Sequence, residues 1–330
     1  MPVVWVKGPA AVRVKGRCRR LGMDVSGRQV MVRAGKALPF ETGPDCVLGI
    51  DGPAWSADPQ TAGTAMWRSV AQKLSGCSVV MVVGEVDAGK STFCTYLANV
   101  AIGRGITPCV IDGDIGQGDL APPAAMGAAA MAGPVTDLRD VDAGFFEFVG
   151  SISPAGRERL VARRMRSLLG RTRHLAGLHV INTDGYFDVG YKRMLARALK
   201  PDAMVVLGNS RHLAAELQGP WQTLQARSSR QAAKTYPERV GRRMEQFMHY
   251  VKEGSASRAT SDVKFVCAGQ PALRAAEGMF VGLGEKGMVK GFGIIESIGE
   301  NITIKTGIQH FTTVWLSDVG LKDGIESRVS

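Results

Sequence analysis

Aromatic side chains are scarce in this chain of 330 residues: Phe, Trp and Tyr together make up 6% of it. Small side chains must therefore carry much of the packing, and 41 glycines imply many turns. The six cysteines (Cys18, Cys46, Cys77, Cys94, Cys109 and Cys267) form no CxxC pair, and none stands near a histidine at metal-ligand spacing. That spacing suggests neither a zinc site nor a disulfide framework; it fits small buried thiols in a reducing compartment. The start of the chain lacks a charged segment followed by an apolar run, so it does not read as a secretory signal. The longest apolar stretch, residues 121–133, is rich in Ala, Gly and Pro and too short to span a bilayer. These absences lead us to expect a soluble, cytoplasmic protein with no membrane partner. Nothing in the sequence fixes an oligomeric state.

Apolar residues make up 45% of the chain, enough for a real core, and the formal net charge is +11. Such a charge serves equally as a solubilising surface or as the footprint of a polyanionic partner. The length suggests two or three domains. Residues 1–59 alternate short β-like runs (3–6, 12–14, 29–32) with turns and read as a small β domain. Residues 60–255 alternate strand and helix signals: a helix over 64–74, buried strands over 78–83, 108–112, 178–182 and 203–207, and a helix over 90–104. Two arginine-rich stretches, 155–175 and 227–250, also read as helical. Residues 256–330 return to short strands and glycine turns. The expected fold is α/β, a parallel-sheet P-loop domain flanked by small β domains at both ends, with its ligands at the carboxyl ends of the strands.

The run Gly84-Glu85-Val86-Asp87-Ala88-Gly89-Lys90-Ser91 fits GxxxxGK[ST]. Glycines let the backbone turn tightly, so that successive N–H groups point inward at phosphate oxygens. The helix that follows adds its positive end. In that pattern Lys90 reaches the β- and γ-phosphates of ATP and the Ser91 hydroxyl ligates Mg²⁺. The entering apolar strand and the departing helix are the context the motif needs. The next strand ends in Asp112-Gly113-Asp114-Ile115-Gly116-Gln117. One carboxylate there can hold the metal shell, and the other can accept a proton from a nucleophile.

The order of these two motifs, followed by Gly150-Ser151-Ile152-Ser153-Pro154 and then Asn182-Thr183-Asp184-Gly185-Tyr186, resembles the polynucleotide 5′-hydroxyl kinases of mRNA, tRNA and rRNA processing. The resemblance covers about residues 78–250 and carries the family's DxDxGQ and TxG-aromatic signatures. The absence of long interaction tails gives it an archaeal cast. It implies transfer of the ATP γ-phosphate to the 5′-hydroxyl of RNA or DNA. By position, Lys90 and Ser91 match the phosphate- and metal-binding residues, with Thr92 beside them. Asp114 matches the carboxylate that activates the 5′-hydroxyl, and Asp112 and Gln117 match its neighbours around the metal. Tyr186 falls where the family usually has a base-stacking tryptophan. The 227–243 segment resembles an arginine-bearing lid, with Arg230 and Arg239 as its expected phosphate contacts. Ser151 lies in a segment expected to close over the site, Thr183 in the aromatic element, and Arg157, Arg163 and Arg164 on a helix expected to follow the nucleic-acid backbone.

Two other functions stay open at this level. An ATP-binding scaffold of an RNA-processing complex would share the phosphate loop, although it need not keep Lys90, Ser91 and Asp114. A P-loop switch, such as a metal-insertion chaperone, would also share it, although no NKxD guanine-reading motif follows the loop.

Overall fold

A computed structural model describes residues 2–58, 63–208, 211–228, 235–267, 274–322 and 325–328. The chain opens with eight strands: β1 (Val3–Lys7), β2 (Ala10–Lys15), β3 (Cys18–Arg20), β4 (Met23–Asp24), β5 (Gln29–Val32), β6 (Ala37–Thr42), β7 (Val47–Asp51) and β8 (Ala54–Ala57). They form a five-stranded sheet, β4-β3-β6-β1-β8, and a three-stranded sheet, β5-β2-β7. Alternation sets which face is inside: in β5 only Val30 and Val32 are buried, at a period of two.

Helix α1 (Thr64–Lys73) leads into β9 (Val79–Gly84), all six of whose residues are buried. A β-branched run of this kind suits a strand covered on both faces. After it come α2 (Lys90–Ile102), β10 (Pro108–Gly113), β11 (Ala125–Ala130), β12 (Phe145–Phe148), α3 (Glu158–Thr172), β13 (Leu178–Thr183), α4 (Val189–Leu199), β14 (Ala203–Leu207), α5 (Arg211–Glu216), β15 (Gln222–Ala226) and α6 (Tyr236–Tyr250). The strands from β15 through β14, β9 and β13 to β10 are parallel neighbours. The core beneath the N-terminal sheets joins Trp67, Phe93 and Leu97 to Val6, Leu38 and Phe40; the other face packs Met165, Leu168 and Leu195 from α3 and α4.

The sheet does not stop at β10. The apolar 121–133 run supplies β11, and β12 follows it, both antiparallel. Phe146 of β12 then pairs with Val289. Through that bridge the sheet continues into β16 (Ser255–Ala259), β17 (Lys264–Cys267), β18 (Met279–Glu285), β19 (Met288–Ile298), β20 (Asn301–Lys305), β21 (Thr313–Lys322) and β22 (Ile325–Arg328). Strands β18 and β19 form a hairpin whose two loop residues, Lys286 and Gly287, both have positive φ, the twist-matched turn for such a loop. The C-terminal strands are the antiparallel β structure expected there, and they continue from the edge of the central sheet. A shared aromatic cluster of Phe148, Phe247, Phe280 and Phe292 seals the joint. Among the described residues no helix is long and apolar enough to cross a membrane.

Candidate active site

The phosphate loop leaves the carboxyl end of β9 and enters α2 through Gly89, whose φ of 87° is left-handed; Asp87 also lies in that region at φ 59°. Only glycine enters it without cost, so the Asp87 backbone is held there by its surroundings. Lys90 is buried, and its Nζ donates to the Glu85 carbonyl at 2.8 Å. Burial lowers its pKa, while Asp114 and Asp184 pull it back up. Ser91 and Thr92 are half-buried and face the same cleft.

The two carboxylates of the acidic strand end have different roles. Asp112 is buried, and each of its oxygens accepts twice: Oδ1 from the Asp114 amide (3.2 Å) and Asn182 Nδ2 (2.9 Å), Oδ2 from the amides of Asp119 (2.5 Å) and Leu120 (3.3 Å). Desolvation, with the Asp119 and Asp114 charges, raises its pKa to about 6. Protein donors saturate both oxygens, so the expectation that Asp112 ligates the metal is corrected: it folds the 112–120 loop. Asp114 is only half-buried. Its Oδ1 accepts from the amides of Gly116 (3.1 Å) and Gln117 (2.9 Å), and Oδ2 has no hydrogen-bond partner among the described residues. Asp114 lines the cleft and Asp112 does not.

The loop after β13 presents Tyr186. Thr183 is fully buried and its hydroxyl donates to the Val82 carbonyl, tying β13 to β9. Asp184 accepts from Lys192 Nζ (2.8 Å), Tyr191 Oη (2.6 Å) and the Tyr186 amide (2.9 Å). Burial lowers the Lys192 pKa and raises that of Tyr191, each counter to or along with the Asp184 charge beside it. Gly185 lies against the phosphate loop: a Cβ there would come within 2.9 Å of Val86 Cα. Tyr186 is 38% exposed, its ring 5.8 Å from that of Tyr191.

Helix α6 closes another side. Thr235 caps it and Glu238 returns the bond in a capping box, which aims Arg239, Arg242 and Arg243 at the cleft from one face. Arg239 pairs with Asp87 of the phosphate loop at 2.8 Å, Arg242 with Asp119, and Arg243 with Glu326 of β22 at 2.6 Å. Asp119 is fully buried; it also takes Lys36 Nζ of the N-terminal domain at 2.8 Å and faces Arg139 at 3.9 Å. Burial pushes its pKa up, but Lys36 and Arg242 outweigh that and hold it below the usual range. Lys7, Lys36 and Trp55 bring the N-terminal domain to the cleft, which encloses about 340 Å³. Arg230 lies outside the described residues.

The residues expected to touch nucleic acid divide into two groups. Gln117 and Tyr186 line the cleft. Ser151 and Thr183 are buried, while Ile152, Ser153 and Pro154 form the wall beside them. Arg157 is buried against Asp318 of β21 (2.9 Å), and Arg164 pairs with Glu147 (3.0 Å), so both are corrected to structural ion pairs. Arg163 is exposed on α3, outside the cleft lining. Arg242 and Arg243 were legible as the i+3 and i+4 neighbours of Arg239. Lys36 carries no local signal, because its partner is 83 residues away.

A metal would find a limited donor set here. Among the described residues no group of three or more His, Cys, Asp or Glu could cage one. Ser91 at the helix start and the Asp114 carboxylate fit a hard cation carried on nucleotide phosphates, the usual state of Mg²⁺.

A parallel sheet, a GxxxxGK[ST] loop between strand and helix, and carboxylates at the neighbouring strand end define a P-loop nucleotide-binding protein. Residues 84–253, just over half of the chain, match the model of the mRNA cleavage and polyadenylation factor CLP1 P-loop family, and the chain belongs to that family. It is 34% identical over 143 residues to the polyribonucleotide 5′-hydroxyl-kinase of Pyrococcus abyssi, covering 42% of this chain and 40% of that protein. It is also 34% identical over 151 residues to the polyribonucleotide 5′-hydroxyl-kinase Clp1 of Rattus norvegicus, covering 40% of this chain and 34% of the other. The match thus spans well under half the length of these curated relatives. The structure of the wild-type Clp1p–Pcf11p complex contains a chain of the same fold, with a TM-score of 0.74 at 11% identity over 96% of this chain and 95% of that one. The motif-based resemblance is borne out at the level of family and fold.

Proposed function

We propose that this protein is an ATP-dependent polynucleotide 5′-hydroxyl kinase acting on RNA ends, with DNA ends as a second acceptor. One observation carries this: the Asp114 oxygen without a partner, the Tyr186 ring and the phosphate-loop residues Lys90 and Ser91 line one cleft. In this proposal the loop backbone from Gly84 through Glu85, Val86, Asp87, Ala88 and Gly89 cradles the phosphates of ATP. Lys90 neutralises their charge, and Ser91 holds Mg²⁺, which when bound offsets charge on the β- and γ-oxygens. Asp114, oriented by two amides, takes the proton of the attacking 5′-hydroxyl. The new bond joins that oxygen to the γ-phosphorus as the bond to the β–γ bridging oxygen breaks, and ADP leaves. Arg239 stabilises charge on the transferring group from the side. Tyr186 offers its face to the terminal base, an interaction of about 1–3 kcal/mol. The relatives' name, polyribonucleotide 5′-hydroxyl-kinase, supports the same acceptor.

The test is transfer of label from γ-labelled ATP to matched 5′-hydroxyl RNA and DNA oligonucleotides. Transfer to RNA is expected; transfer to neither would refute the proposal, and nucleotide hydrolysis alone would favour a switch protein.

Gly185 offers a second test. In Gly185→Ala the added Cβ must displace the Val86 backbone, an overpacking cost of about 1–3 kcal/mol. If that strain falls on the phosphate loop, ATP affinity drops by roughly 10-fold or more. Calorimetric titration with ATP measures it, and an unchanged Kd would show that the loop does not depend on this contact.

A further inference from the structure

The arginines of α3 fall into two sets. Those turned toward the protein are neutralised: Arg157 by Asp318, and Arg164 and Arg171 by Glu147. Arg159, Arg163, Arg166 and the C-cap residue Arg173 are exposed, and none has an ion pair or side-chain hydrogen bond among the described residues. Their spacing of four, three and seven residues keeps them on one helix face. The row is about 21 Å long at 1.5 Å per residue. Its neighbour α4 packs beside α3 and adds exposed Arg197; Glu158 is the only carboxylate on the two helices.

Topology gives the row a direction. Pro154, just before α3, lines the cleft. The helix ends before β13, which runs parallel to β10, and Asp114 follows the carboxyl end of β10. Arg159 is therefore at the cleft end and Arg173 at the opposite end of the sheet. None of the exposed large apolar side chains lies on α3, so the face suits neither an apolar groove nor a bilayer.

We infer that this row binds the phosphate backbone of a single-stranded RNA 3′ of the end held in the cleft. The inference rests on the kinase proposal for where the 5′ end lies, and on charge complementarity for the rest. Guanidinium groups take phosphates by paired hydrogen bonds, and unpaired ones lose no existing partner in doing so. The row would hold the body of a long substrate and leave the chemistry at Asp114 unchanged. It thus selects for chain length.

The test is the quadruple variant Arg159→Gln, Arg163→Gln, Arg166→Gln, Arg173→Gln, with the four Arg→Lys replacements as a charge-preserving control. A 5′-hydroxyl dinucleotide ends before the row, whereas an RNA of about ten nucleotides covers it even at the compact spacing of a stacked duplex strand, roughly 3.4 Å per nucleotide. The Gln variant should raise KM for the longer RNA at least tenfold and leave kcat and the dinucleotide KM unchanged. In fluorescence anisotropy the salt slope for the longer RNA should fall by about 3, near 0.7 for each lost phosphate contact. The Lys variant should retain most of both. Unchanged affinity and salt slope for the longer RNA would overturn the inference, as would an equal loss on the dinucleotide. Circular dichroism checks that the variant is folded. The anisotropy arm needs no turnover, so failure of the kinase proposal shows separately, as wild-type protein that binds RNA without phosphorylating it.

Discussion

Asp114→Asn should slow phosphoryl transfer to a 5′-hydroxyl by orders of magnitude while leaving ATP binding intact. The geometry makes the substitution clean. Asparagine can keep the Oδ1 contacts to the amides of Gly116 and Gln117, so the loop keeps its shape. The other oxygen, which has no hydrogen-bond partner in the described structure, becomes an NH₂ group that cannot accept a proton. A positioned general base contributes about 10²–10⁴-fold, and kcat should drop by that factor. Single-turnover transfer of labelled phosphate, alongside ATP titration, separates the two effects. A normal transfer rate would remove Asp114 from its role; lost ATP binding would make it part of the nucleotide site instead.

The second large effect concerns stability. Asp119 is the counter-ion for Lys36 of the N-terminal domain and Arg242 of α6, and it faces Arg139. Asp119→Ala leaves buried cations without their carboxylate, a loss of about 3–5 kcal/mol for a broken buried pair. Urea unfolding should show it as a lower midpoint; an unchanged midpoint would mean that Asp137, 3.4 Å from Lys36, takes over. The sign of the pH dependence follows. The carboxyls of Asp119 and Asp137 are held below their unfolded values, chiefly against the effect of burial, by Lys36 and the neighbouring arginines. Their contribution is present above the unfolded value, near pH 4, and is lost as pH falls through the depressed folded values. Asp112 acts in the opposite sense: with a folded pKa of about 6, its contribution is full below pH 4 and lost as pH rises through 6. The acid-side loss should be smaller in Asp119→Ala than in the wild type.

Much of the phosphate-loop side of the site was legible in the sequence, because its signals are local. The β-branched run of β9, the glycine-bounded loop and the helix after it occupy consecutive positions, as do Asp114 and the loop that orients it. The parts that were not legible depend on partners distant in sequence. Asp112 and Asp114 look alike as letters, but one is saturated by amides up to eight residues on and by Asn182, while the other keeps an oxygen toward the cleft. Thr183 and Arg157 look like surface contacts until Val82 and Asp318 occupy them. Helix α6 was expected to begin at residue 227, although Thr235-Tyr236-Pro237-Glu238 spells a capping box and a first-turn proline that mark its start. Strand β12 was missed because its aromatic run follows a short turn and its neighbours, β11 and β19, are far apart in the chain.

Two ion pairs tie late strands to earlier helices, and one of them stands at the cleft. Arg157, at the start of α3, is held by Asp318, and Arg243, on the cleft face of α6, by Glu326. Domains generally fold in order as they leave the ribosome. During synthesis, then, the phosphate loop and the acidic strand end can form early, while Arg243 waits for Glu326, made 83 residues after it. A nascent chain would gain a place for nucleotide phosphates well before it had a finished wall around them, so the order of translation itself separates the two halves of the site in time.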